Sequence, residues 1–192
     1  MHKLIFIDTE TTGVDPAVHG IIQVAGICCT YDAIGGFTGK EEVFNLRARP
    51  FPEDVIDERA LEVNGITLQQ LNELPTPQEM YYKFVAILDR HIDKYNRRDK
   101  AYFVGYNAMF DYNMMRRFFE KSGNTFFGSY FFFPPIDVMQ LASFALMDER
   151  PKMANFKLKT VAEALKVPLP ENLHDAMADI EVTRGVFMAL GR

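Results

Sequence analysis

The chain has 192 residues, an apolar fraction of 48% and a formal net charge of −5. That apolar fraction excludes a disordered chain, and the absence of any run of about 18 apolar residues argues against a membrane span. The acidic balance argues against coating long nucleic acid electrostatically. It leaves open a grip on one chain end through bound cations, which invert the local charge.

The length suits one domain, residues 1–192, with a full core. Met1–Ile7 is short, apolar and rich in β-branched residues, so it reads as a buried strand. Its apolar run stops at Asp8 and lacks an A-x-A cleavage site, which marks it as core and not as a signal peptide. Ile21–Asp32 reads as a second strand and Glu41–Arg47 as a third, with Gly35, Gly36 and Gly39 in the turn between them. Cys28 and Cys29 are adjacent in that second strand, so they would point to opposite faces and are poorly placed to bond to each other. A reducing, cytoplasmic compartment fits.

Ala48–Asn72, punctuated by Pro50, Pro52 and Asn64-Gly65, reads as part loop and part short helix. Thr76-Pro77 starts a helix that runs to about Asn96, with Tyr81, Phe84, Val85, Leu88 and Ile92 on one face. Ala101–Tyr106 is a fourth strand, and Asn107 can cap a helix reaching about Lys121. Phe126–Ile136 is aromatic and ambiguous. Asp137 caps a further helix, and Leu158–Leu165 and Asp175–Leu190 close the chain as helices. A meander of strands followed by strand–helix alternation implies a mixed α/β sheet flanked by helices.

Three acidic segments carry chemistry. Asp8 and Glu10 alternate at a strand end, so their carboxylates share a face. Two adjacent carboxylates repel, and burial raises the cost of keeping both charged. A hard divalent cation such as Mg²⁺ removes that penalty. Asp111 stands at a strand-to-helix junction, where an acid also simply favours the helix macrodipole. His174 precedes Asp179 by five residues at the start of the last helix.

These segments, in this order, resemble the three motifs of the DEDDh family of 3′–5′ exonucleases. The first motif, D-x-E-T-T-G, is Asp8, Glu10, Thr11, Thr12 and Gly13. The second, N-x-x-F-D, is Asn107, Phe110 and Asp111. The third, H-x-A-x-x-D, is His174, Ala176 and Asp179, followed by Thr183. Asn64-Gly65-Ile66-Thr67 resembles the family's H-G-I-T loop, with Asn64 where histidine often stands. Leu158-Lys159-Thr160-Val161-Ala162 resembles its L-x-x-L-A helix start. The family includes polymerase proofreading subunits, oligoribonucleases and ribonucleases that trim tRNA ends.

The resemblance implies a ribonuclease H-like fold, a five-stranded mixed sheet with one antiparallel strand, flanked by helices. It implies that Asp8, Glu10, Asp111 and Asp179 hold two Mg²⁺ or Mn²⁺ ions, spaced at about 4 Å to serve both the attacking and the leaving oxygen. His174 would act as general base, a role its unperturbed pKa of about 6.5 suits. Thr11, Thr12, Gly13, Ile66 and Phe110 would contact the terminal nucleotide. The substrate would be the 3′ end of single-stranded DNA or RNA and the product a 5′-mononucleotide, with a polymerase or a second copy as partner candidates. A catalytically silent nucleic-acid- or polymerase-binding module, or an endonuclease of related fold, are the other readings.

Several residues keep a plainer explanation. Phe110 also suits the inner face of its helix, and Asp137 and Asp175 suit helix starts. Phe126–Phe133 suits core or partner interface as well as a stacking platform. The basic run Lys94–Lys100 suits a solvated helix end.

Overall fold

Alternation along the first strand sorts the helices into two layers. In β1 (His2–Thr11), Leu4 and Phe6 face one hydrophobic cluster while Ile5 and Ile7 face another. Successive strand residues point to opposite faces, so both faces of a central strand can be buried. The computed structural model describes residues 1–32, 34, 36–170 and 176–191. Its strands β1, β2 (Ile21–Asp32), β3 (Gly36–Arg47), β4 (Ala101–Gly105) and β5 (Phe131–Asp137) form one five-stranded sheet in the order β3-β2-β1-β4-β5. β2 runs antiparallel to both neighbours, while β1, β4 and β5 are parallel.

Two short helices, α1 (Glu58–Asn64) and α2 (Leu68–Glu73), follow the meander, and α3 (Pro77–His91) precedes β4. Helix α4 (Ala108–Lys121) follows β4. The chain closes with α5 (Val138–Ala145), α6 (Leu158–Ala164) and α7 (Ala176–Leu190). Met80, Phe84 and Leu88 of α3 and Met115 and Phe119 of α4 pack on the Ile5–Ile7 face. Val138 of α5, Val161 of α6 and Ile180 and Val186 of α7 pack on the Leu4–Phe6 face. Cys28 joins the first cluster and Cys29 the second, so the adjacent thiols do point apart. Burial pushes both up to about 12. Among the described residues no helix is long and apolar enough to cross a membrane.

Two boundaries differ from the sequence reading. β3 begins at Gly36, not Glu41, because the ladder continues across a bulge between Cys28↔Glu42 and Thr30↔Thr38. Gly39 sits in that bulge with φ +78°, a conformation glycine adopts without steric cost. α3 stops at His91, about one turn before Asn96. The Asp93 carboxylate accepts from Tyr95 N–H (3.1 Å) and the Asn96 amide oxygen from Arg98 N–H (3.1 Å), local bonds that compete with the helical ladder. Lys94–Lys100 is therefore a turn and not a helix end.

Asn107 occupies the N-cap position of α4 but makes no side-chain cap bond, because its backbone is left-handed at φ +62°. The aromatic run is divided. Phe127, Tyr130 and Phe131 are core, whereas Phe126 and Phe133 are exposed, and its last part is the edge strand β5. Asp137 does cap α5, accepting from Met139 N–H at 3.0 Å.

Candidate active site

The parity of β1 sets the site. Asp8 and Glu10 follow Leu4 and Phe6, on the α7 side of the sheet. Thr9 follows Ile5 and Ile7, on the α4 side. Asp111 lies in the first turn of α4 and is 4% exposed. One of its carboxylate oxygens accepts from Thr9 N–H at 3.0 Å and from the Thr9 hydroxyl at 2.7 Å. Thr9 thus anchors an acid 102 residues away. Asp179 stands in the first turn of α7.

Electrostatics tie the acids together. Burial, then the charges of Asp111, Glu10 and Asp179, push the Asp8 carboxyl well above the usual carboxylate range. Burial raises Asp111 to about 7 against the opposing pull of the Thr9 hydrogen bonds, with Asp137 adding to the rise. Asp137 also accepts from Asn107 N–H at 3.1 Å, so it braces the turn that delivers Asp111. The structure therefore brings Asp8, Glu10, Asp111 and Asp179 into one neighbourhood. Their donors are all carboxylate oxygens, the chemistry Mg²⁺ and Mn²⁺ prefer. Among the described residues no three His, Cys, Asp or Glu side chains already close on a single point as a formed cage. The acids fit a divalent cation by donor type and by the mutual repulsion that, with burial, raises the Asp8 carboxyl.

Glu10 opens onto a small cleft lined by Ile22, Gln23, Arg47, Asn64, Ile66 and Leu74. Gly65 ends α1 with φ +62°, which turns Ile66 back onto the Ile22–Leu61–Leu71 cluster. Asn64 Nδ2 donates to the Thr11 carbonyl at 3.0 Å, so it holds the end of β1. That amide does the local tying that needs no imidazole.

The Thr11–Gly13 turn is largely self-satisfied. The Thr11 hydroxyl donates to the Gly13 carbonyl (2.7 Å), and Thr12 N–H donates to the Gly20 carbonyl (2.8 Å). The Thr12 hydroxyl donates to the Val55 carbonyl (2.6 Å) and accepts from Gly20 N–H (2.9 Å). Thr12 therefore has its donors committed within the fold. Phe110 is half-buried against the α4 side of the core, which leaves part of its ring at the surface. His174 and Asp175 lie outside the described residues. Sequence reasoning missed Thr9 and Arg47. A lone threonine carries no signal, and Arg47 reaches the cleft only through strand pairing.

The fold and this acid cluster define the class, and comparison agrees. The RNase_T family model, described as "Exonuclease", matches residues 5–187. The chain belongs to this exonuclease family. Its relatives include the PolC-type DNA polymerase III of Thermotoga petrophila, 29% identical over 184 residues, which are 96% of this chain and 11% of that protein. Ribonuclease T of Buchnera aphidicola is 30% identical over 112 residues, 58% of this chain and 51% of that protein. The chain thus spans about a tenth of the PolC-type polymerase and about half of ribonuclease T. Escherichia coli exonuclease I, solved in complex with a dT13 oligonucleotide, shares the fold at a TM-score of 0.70 and 23% identity. That match covers 99% of this chain and 40% of exonuclease I.

Proposed function

We propose that residues 1–192 form a single exonuclease domain that removes nucleotides from the 3′ end of a single strand in a metal-dependent reaction. The observation that carries this is the Asp8 carboxyl, crowded by Asp111, Glu10 and Asp179 with burial on top. Such a cluster is unstable without a cation. Asp8, Glu10, Asp111 and Asp179 would hold two Mg²⁺ or Mn²⁺ ions. Bound there, the ions would supply charge neutralisation for the attacking and leaving oxygens of a phosphodiester.

The chain's own residues do the rest. His174, outside the described residues, would take the proton of the attacking water and not ligate metal. Histidine titrates near neutrality, and general-base catalysis of this kind contributes about 10²–10⁴-fold. Thr9 keeps Asp111 in register with β1. The half-exposed Phe110 and Ile66 suit stacking against the terminal base, worth about 1–3 kcal/mol for an aromatic. Thr11 and Gly13 would offer backbone contacts, and Thr12 serves the loop.

The relatives support both nucleic acids: a DNA polymerase and exonuclease I on one side, ribonuclease T on the other. The PolC-type relatives also make a polymerase a reasonable partner, and one exonuclease I structure carries zinc with single-stranded DNA. A silent binding module of the same fold is disfavoured, because all four acids are retained. The test is a time course on matched 5′-labelled DNA and RNA oligomers with Mg²⁺. A ladder shortening from the 3′ end, abolished by EDTA, is expected. Intact oligomers of both kinds would overturn the reading.

A further inference from the structure

Glu10, Gln23 and Arg47 stand in one row across the sheet, since Glu10 pairs with Gln23 and Gln23 with Arg47. Arg47 is the last residue of β3, an edge strand whose outer side carries no ladder among the described residues. It lines the cleft around Glu10 and Ile66, and it also lines a second groove of about 430 Å³. That groove runs along the edge of β3 between Leu46, Pro75, Met80 and Lys83. The two depressions therefore share one lining residue, Arg47.

The chemistry of the second groove differs from the acid site. Arg47 and Lys83 are exposed, and among the described residues neither forms an ion pair. Glu79, four residues before Lys83 on α3, gives its carboxylate to the helix cap, accepting from Thr76 N–H (2.8 Å) and its hydroxyl (2.7 Å), while the charges of Lys83 and Arg49 also act on it. By contrast, Lys94 of the densest basic segment pairs with Asp89, and Lys100 donates to the Gly128 carbonyl.

Resting on the exonuclease reading, we propose that this groove carries the phosphodiester backbone on the 5′ side of the terminal nucleotide, with Arg47 and Lys83 each contacting a phosphate. A strand whose 3′ end sits by Glu10 must leave the cleft somewhere. The exit at Arg47 meets positive charge, open width and an unpaired strand edge. The polyanion is then neutralised by fixed cations where it leaves the acid site, despite the chain's net charge of −5.

The test is binding of oligothymidylates of two to eight nucleotides in Ca²⁺, followed by fluorescence anisotropy across a salt series. Wild-type affinity should rise over the first few added nucleotides and then level off. Each cation removed, by Arg47→Gln and by Lys83→Gln, should reduce the slope of log affinity against log salt by about 0.7, the single-strand value per phosphate. The double variant should lose the length gain. Arg97→Gln with Arg98→Gln, in the other basic segment, should change neither. Both groove residues are exposed, so melting curves should be unchanged. A double variant with wild-type slope and length profile, in a protein that still shortens oligomers in Mg²⁺, would overturn the groove alone. A wild type that binds these oligomers but shortens none in Mg²⁺ would overturn the exonuclease reading and the groove with it.

Discussion

Helix α4 serves two buried acids, one at each end, and they are built in opposite ways. At its last residue, Lys121 forms an ion pair with Asp54, whose side chain is fully buried. Phe51 N–H donates to the second oxygen of that carboxylate at 2.9 Å. Gly20 leaves the room, since a Cβ there would stand 2.1 Å from Asp54 Oδ2. At its first turn, Asp111 has the Thr9 donors but, among the described residues, no lysine or arginine to neutralise it. Its neighbours are acids instead. A buried carboxylate given a fixed cation is a finished structural pair. A buried carboxylate placed among like charges is relieved by a proton or by a cation from solution.

The widest separation between the two ends should appear in activity. Asp8→Ala or Asp179→Ala should lower exonuclease turnover by more than the ~10–100-fold typical of losing an outer partner of a metal site. The folded state should survive, because each change relieves repulsion. Single-turnover assays beside circular dichroism read both quantities. Near-normal turnover in either variant would break the contrast at its functional end.

Lys121→Met should act on stability instead. It strands the Asp54 charge, and breaking one side of a buried pair costs about 3–5 kcal/mol. Urea titration measures the loss, and turnover per folded molecule should stay close to wild type. Replacing both partners with apolar residues should recover most of the stability. A loss below about 1 kcal/mol for Lys121→Met would mean that water reaches Asp54 and that the pair resembles a surface bridge.

Thr9→Val sharpens the comparison from the other side. It removes the 2.7 Å hydroxyl donor to Asp111 and keeps the 3.0 Å backbone donor. Turnover should fall by about 10–100-fold, as for other groups that orient a ligand without being one. Thr9→Ser should restore it. Equal damage in both variants would assign Thr9 to packing.

The two ends were not equally legible in the sequence. The acid site could be read because strand parity puts Asp8 and Glu10 on one face, and because Asp111 and Asp179 begin helices that follow recognisable motifs. The mixed sheet with flanking helices followed from the strand–helix order, and the inner face of α3 from its apolar period. What escaped depends on pairing across the chain. Nothing local to Thr9 announces a partner 102 residues on, and Asp54 reads as one more loop acid until Lys121 arrives. Arg47 joins the cleft only once the register Glu10–Gln23–Arg47 is known. The end of α3 and the start of β3 were misplaced for a shared reason. Asx bonds at Asp93 and Asn96 stopped a helix that propensity would extend, and the Gly39 bulge let a strand continue where glycines suggested a turn.

The smallest effect is a pH trend in the metal-free protein. Asp111 titrates at about 7 when folded and near the ordinary carboxylate value of about 3.9 when unfolded. The folded state therefore holds this proton more tightly. Its stabilising contribution is complete below the unfolded value and is lost as pH rises through about 7. Asp8, raised in the same direction, adds to the trend. In EDTA, the melting temperature of wild type relative to Asp111→Asn should therefore drop by a few degrees between pH 5 and pH 8. Saturating Mg²⁺ or Mn²⁺ should reverse that order, because a cation binds the deprotonated acids and stabilises only the folded state. The Asp54–Lys121 end should contribute no such metal response. If Mg²⁺ raised the melting temperature of wild type and Asp111→Asn equally at pH 8, the uncompensated charge at the first turn of α4 would not be what draws the metal.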